Sequence, residues 1–100
     1  MLNVKDTANK FKHGQQTVGT DIVQIMNSGY KFTKGIIFRA PGATDPVANT
    51  DPVWIGGADV STATGMPVVP GETLRLPLDS GDNIYAISVN AAQLIAWVGA

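Results

Sequence analysis

Between Gln15 and Val98 the apolar positions of the chain recur at alternate residues in short runs, and glycine, proline, asparagine or aspartate closes each run. That pattern predicts β-strands separated by turns. Gln15–Met26 is rich in β-branched residues and contains Gly19, so it predicts a strand with a bulge or bend. Asn27-Ser28-Gly29 then reads as a turn. Tyr30–Arg39 places Phe32, Ile36 and Phe38 on one face and Thr33, Ile37 and Arg39 on the other, with Lys34 breaking the alternation. Val53-Trp54-Ile55 is a short apolar strand that Gly56-Gly57 ends, and Gly56 and Gly57 are expected to supply positive φ at that stop. Pro70-Gly71 suits positions i+1 and i+2 of a type II turn. Leu74, Leu76 and Leu78 alternate with Thr73, Arg75 and Pro77, a strand with one wet face. Ile84–Val89 puts Tyr85, Ile87 and Val89 on one side. Asn90-Ala91-Ala92 turns the chain into Gln93–Val98, so these last two strands are expected to pair as a hairpin.

With no helical periodicity of useful length, the expected class is all-β: a single antiparallel β-sandwich or barrel of about six strands. Residues 1–14 offer only Leu2, Val4 and Phe11 as spaced apolar positions, and they read as an extended N-terminal arm ahead of a β-domain at 15–100. Ala40–Pro52, APGATDPVANTDP, has no apolar period and reads as a long loop. Its two Asp-Pro pairs hold Asp45 and Asp51 out of the helical region and stiffen the path.

Composition adds a constraint. Charged residues are 15% of the 100, below the roughly 25% usual for soluble domains, which leaves neutral surface for a partner. A chain this short is near the lower end for comfortable stability, and oligomerisation would help it. There is no cysteine, so a disulfide framework or thiolate metal site is excluded. The N-terminal stretch has no apolar core of a signal sequence and no long apolar run follows, so neither signal-directed secretion nor membrane spanning is expected. The net charge of −1 conceals an asymmetry. Residues 1–39 carry Lys5, Lys10, Lys12, Lys31, Lys34 and Arg39 against Asp6 and Asp21, while 40–100 carry Arg75 against Asp45, Asp51, Asp59, Glu72, Asp79 and Asp82. The two halves can attract each other within a subunit or between neighbours.

Catalytic chemistry finds little to work with. His13 is the only histidine and sits in the polar arm, where nothing holds a base rigidly beside a nucleophile. The carboxylate pairs Asp79/Asp82 and Asp45/Asp51 lie in turn sequence, where Asp caps its own backbone. Asp79-Ser80-Gly81-Asp82-Asn83 lacks calcium-loop spacing, and Gly56-Gly57 is not followed by a phosphate-loop helix. An acidic strand-rich half argues against nucleic acid. No enzyme activity, metal or cofactor is expected. Trp54 and Trp97, with Tyr30 and Tyr85, are candidate binding aromatics, although both tryptophans lie in apolar strands, which favours burial in the core or between subunits.

The strings Val53-Trp54-Ile55-Gly56-Gly57, Asp59-Val60-Ser61-Thr62, Gly65-Met66-Pro67-Val68, Pro70-Gly71-Glu72-Thr73-Leu74 and Ile84-Tyr85-Ala86-Ile87 together resemble a pattern of small β-rich structural proteins of tailed bacteriophages. Head-decoration (cement) proteins are prominent among these, and β-modules of head or tail fibres share the pattern. The likeness covers about residues 32–98. It implies a virion structural protein made in the host cytoplasm and seated on the capsid exterior as a homo-oligomer, a trimer being favoured, with the major capsid protein as partner. Surface burial across several shell subunits would reinforce the shell. The residues expected at the shell or between subunits are Lys5, Lys10 and Lys12 of the arm, Asp45 and Asp51 of the long loop, and Trp54 and Trp97. The alternatives are a fibre module and a carbohydrate-binding, host-adhesion module using Trp54, Trp97 or Tyr85.

Overall fold

A computed structural model describes residues 12–26, 31–78 and 83–100 of the chain. Among these there is no helix, and eight strands form: β1 Lys12–Val18, β2 Val23–Gln24, β3 Ile36–Arg39, β4 Val53–Gly56, β5 Met66–Val68, β6 Thr73–Leu76, β7 Tyr85–Ile87 and β8 Gln93–Gly99. They build two four-stranded antiparallel sheets, ordered β1-β8-β3-β6 and β2-β7-β4-β5. The sheets pack face to face as an all-β sandwich and do not close into a barrel.

Period-two alternation sets which face is inside. In β8, Gln93, Ile95, Trp97 and Gly99 are buried while Leu94, Ala96 and Val98 are half-buried on the other side. Ile36 and Phe38 of β3 are buried as the alternation predicts, and Phe32, which precedes the strand, is buried with them. Val18, Ile36, Phe38, Ile95 and Trp97 of the first sheet meet Val53, Ile55, Val68 and Ala86 of the second in one core, which Ile25, Met26, Phe32, Ala40 and Ile84 complete. Each fully buried Phe, Ile or Val removes enough apolar area from water to contribute about 1.5–3 kcal/mol.

Turn chemistry follows the sequence at one place and departs from it at another. Gly71 has φ +90° and the Glu72 amide donates to the Val69 carbonyl at 2.9 Å, which is the type II turn expected of Pro70-Gly71. Gly56 and Gly57, by contrast, do not have positive φ; among the described glycines only Gly35 and Gly71 do. Gly56 is needed for space, because a Cβ there would lie 2.8 Å from Val60 Cγ2 where the following loop folds back. The break at Lys34 is a bend in which the Thr33 and Lys34 amides both donate to the Ala100 carbonyl, at 2.9 and 2.7 Å, ahead of Gly35 at φ +104°.

Three expectations about strands are corrected. Gln15–Met26 is not one bent strand: the chain leaves the first sheet after Val18 and enters the second at Val23. Met66–Val68 is a separate strand paired with β4, which brings the total above six. The last two strands are not a hairpin. β7 lies between β2 and β4 in the second sheet and β8 between β1 and β3 in the first, so Asn90–Ala92, with Ala92 at φ 64°, carries the chain from one layer to the other.

Candidate functional site

The 40–52 loop contains no strand but is fixed tightly to the first sheet. Asn49 and Gln93 are both buried and do most of this. The Asn49 side chain donates to the Leu94 carbonyl at 2.7 Å and accepts from the Leu94 amide at 2.8 Å. Gln93 Oε1 accepts from the Thr50 and Asp51 amides at 2.9 and 3.1 Å, while its Nε2 donates to Thr50 Oγ1 and the Ala91 carbonyl. Asp51 accepts from Asn90 Nδ2 at 2.7 Å and Thr50 Oγ1 at 2.9 Å, so its carboxylate serves the loop and is engaged there.

Asp45 holds the other end. Its Oδ2 accepts from the Gly42 amide at 2.7 Å and from Arg39 Nη2 at 2.8 Å, and Arg39 Nη1 reaches the Gly71 carbonyl at 2.9 Å. The Gly42 amide first, and the Arg39 guanidinium second, hold the Asp45 carboxyl below its ordinary range. The loop is therefore a preformed rim beside the outer face of the first sheet.

That outer face is the most distinctive surface of the molecule. Its cross-strand rows run His13–Val98–Ile37–Arg75 and Gln15–Ala96–Arg39–Thr73, with Thr17–Leu94 continuing the pattern toward the loop. Ile37, Val98, Ala96 and Leu94 make an apolar stripe with Lys34 and Arg75 at one end and the Arg39–Asp45 ion pair at the other. A groove of about 220 Å³ opens among Lys34, Ile37, Arg75 and Val98 at one end, and one of about 330 Å³ among Gln15, Arg39, Asp45, Val47 and Leu94 at the other. Val47 on the rim is 62% exposed. The sequence reading passed over Ile37, Leu94, Ala96, Val98 and Arg75. The available signal was β8 itself, apolar on both faces although only one faces the core.

Lys12 is exposed at the start of β1, the edge strand of this sheet, so residues 12–14, read as the end of an arm, belong to the β-domain; Lys5 and Lys10 lie outside the described residues. The two tryptophans separate. Trp97 is a core residue, 7% exposed, edge-on to Phe32 with ring centroids 6.3 Å apart, and it is no surface contact. Trp54 is half-buried on the outer face of the second sheet, paired in register with Ile87 and Pro67, and Tyr85 sits diagonally beside it opposite Gly56. Tyr30 and the Asp79–Asp82 turn lie outside the described residues. A third surface is the open seam of the sandwich, an apolar cleft of about 220 Å³ lined by Ile55, Met66, Leu74, Leu76, Leu78 and Ile84. Among the described residues no three His, Asp or Glu side chains cluster as a metal site would, and no helix is long and apolar enough to cross a membrane.

No protein-family model matches the chain, and neither a curated protein nor a solved structure does.

Proposed function

We propose that this chain is a structural binding module whose work is to cover and hold another protein surface. More particularly, we propose a bacteriophage capsid decoration protein that binds the exterior of the major capsid shell and stabilises it as a homo-oligomer. The observation that carries the reading is the outer face of the first sheet: an apolar stripe of Ile37, Val98, Ala96 and Leu94 flanked by Arg75, Lys34 and the Arg39–Asp45 clamp. An apolar centre with a charged rim is the make-up of a protein-binding surface. The residues that carry the phage resemblance support it as scaffold. Gly56 and Gly65 make room for Val60, and Pro70-Gly71 turns the chain, so they shape the module rather than perform chemistry.

Co-sedimentation with particles stripped of this protein tests the reading. Saturable binding near one copy per shell subunit is expected, and Ile37→Asp or Arg75→Glu is expected to weaken it about tenfold or more. A handful of copies per particle assigns the chain to a fibre instead. Absence of binding overturns the virion reading.

A second reading has its own observation. Trp54 and Tyr85 share the outer face of the second sheet, an arrangement that suits stacking on a sugar ring. Quenching or shift of Trp54 emission by soluble glycans, lost in Trp54→Ala, is the result that would favour carbohydrate binding over a protein surface.

A further inference from the structure

A sandwich of two open sheets has four edges, and three of them here are blunted. β2 is two residues long, β5 is three residues with Pro67 at its centre, and β6 is four residues between Pro70 and Pro77. Short strands and proline are the ordinary means of preventing edge-to-edge pairing. β1 has neither: it is seven residues long, free of proline, and carries no acidic residue. It pairs with β8 along its whole length, and no described strand pairs with its other side.

The direction of its backbone groups follows from Asn49. Because Asn49 takes both the N–H and the C=O of Leu94, those groups point away from β1, and the Thr17–Leu94 pair exchanges no ladder bonds. Antiparallel pairs alternate, so His13, Gln15 and Thr17 all aim their N–H and C=O groups outward at the open edge. The Thr17 carbonyl, consistent with this, accepts from the Gln16 side chain at 3.0 Å.

We infer that β1 is a strand-addition edge and that its occupant is β1 of a second copy, in an antiparallel two-fold pairing centred on Gln15. In that register Gln15 faces Gln15 and His13 faces Thr17, so every outward-pointing residue meets another and on the order of six main-chain hydrogen bonds form. Lys12 falls opposite Val18, which places the two Lys12 side chains about 20 Å apart, beyond the screening length of about 8 Å at physiological salt. No like charges face one another across the seam. The two first sheets become one sheet of eight strands, and their outer faces become one continuous surface. The inference stands on the edge alone and does not rest on the virion reading; its two-fold symmetry also differs from the trimer that the phage resemblance implies.

A single strand pairing buries less than the roughly 1,000 Å² of a permanent interface, so the dimer forms in a concentration-dependent way. Sedimentation equilibrium of the full chain, from about micromolar to about millimolar concentration, is expected to show a monomer–dimer equilibrium. Gln15→Pro removes an N–H that serves no bond within the subunit, and it is expected to weaken the dimer about tenfold or more with the β-type circular dichroism unchanged. Gln15→Lys and Gln15→Glu, at an exposed position, each place like charges on the two-fold axis and are expected to weaken the dimer about fivefold; an equimolar mixture of the two is expected to recover it as a heterodimer. The lysine and glutamate variants decide the matter if the proline variant does not fold. A trimer, a monomer throughout the range, or a dimer indifferent to charge at residue 15 overturns the inference.

Discussion

Asn49 completes both main-chain hydrogen bonds of Leu94, donating to its carbonyl at 2.7 Å and accepting from its amide at 2.8 Å. One side-chain amide thus continues the ladder of β8 beyond the point where β3 ends. It also binds a loop forty-five residues away in sequence to the central strand of the sheet. The rigidity of the 40–52 rim, and with it the shape of the groove above Leu94, depends on this pair.

Asn49→Ala leaves the amide and carbonyl of Leu94 without these partners, and unpaired buried groups of this kind cost about 1–3 kcal/mol each. The expected loss is about 2–3 kcal/mol, read as a lower urea midpoint with an unchanged slope. Asn49→Asp keeps the acceptor for the Leu94 amide but sets a carboxylate against the carbonyl. It is expected to be at least as destabilising at neutral pH.

The two tryptophans give a direct optical check of the fold. With Trp97 in the core and Trp54 half-buried on an outer face, Trp54→Phe is expected to leave a blue-shifted emission that iodide quenches weakly. Trp97→Phe leaves a redder, more quenchable emission. Trp97→Ala empties the space beside Phe32 and is expected to cost about 3–5 kcal/mol. Equal quenching of the two single-tryptophan proteins would contradict the placement.

Gly65 is held in a space with no room for a side chain: a Cβ there would sit 2.7 Å from Val60 Cγ2, 2.9 Å from Trp54 Cβ and 3.1 Å from the Ser61 carbonyl oxygen. Gly65→Ala is expected to cost about 1–3 kcal/mol and to shift the emission of Trp54, because the added methyl pushes directly on the residue that carries the indole. A change of stability without a change in Trp54 emission would mean that the loop gives way instead.

Asp45 ties the rim to acid pH. Its carboxyl is held below its ordinary range by the Gly42 amide and Arg39, so the proton binds the unfolded chain more readily than the folded one. Such a group contributes its stabilisation fully above the unfolded value of about 3.9 and loses it as pH falls through the lower folded value. Comparing urea midpoints of wild type and Asp45→Asn from neutral pH down to about pH 3 is expected to show the wild type more stable at the neutral end. The difference should shrink only below about pH 4, and a gap closing already near neutrality would require another titrating group.

Local chemistry accounts for what was legible in the residues themselves. Alternation told that Ile36 and Phe38 share the inner face, because successive side chains of a strand must point to opposite sides, whereas Phe32 lies before the bend and is buried by packing against Gly99 and Trp97. Pro70-Gly71 told its turn type, because few residues other than glycine tolerate positive φ. The class followed from those two periodic signals, and the long loop from the absence of either. Whether Gly56 was a matter of backbone angle or of space was not local, because the atom that forbids a side chain there belongs to Val60.

The layers were decided by tertiary structure. Every connection except that from β4 to β5 carries the chain from one sheet to the other, so neighbours in sequence are seldom neighbours in a sheet. The segments of β7 and β8 read as a hairpin because a connection of a few residues, five between the strands as they form, suits either a hairpin or a crossover, and only the core they share chooses. The same applies to the candidate site. An apolar strand reads identically whether its second face is covered or open, and the sequence of β8 could not tell that Trp97 points inward while Leu94, Ala96 and Val98 point out beside Ile37 and Arg75. The strand character of the alternating runs and the Pro70-Gly71 turn were determined by the residues alone, since they depend on atoms within a few bonds. Sheet partners, the inward tryptophan, the Asn49 brace and the open edge of β1 depend on contacts between distant segments, and only packing brings those together.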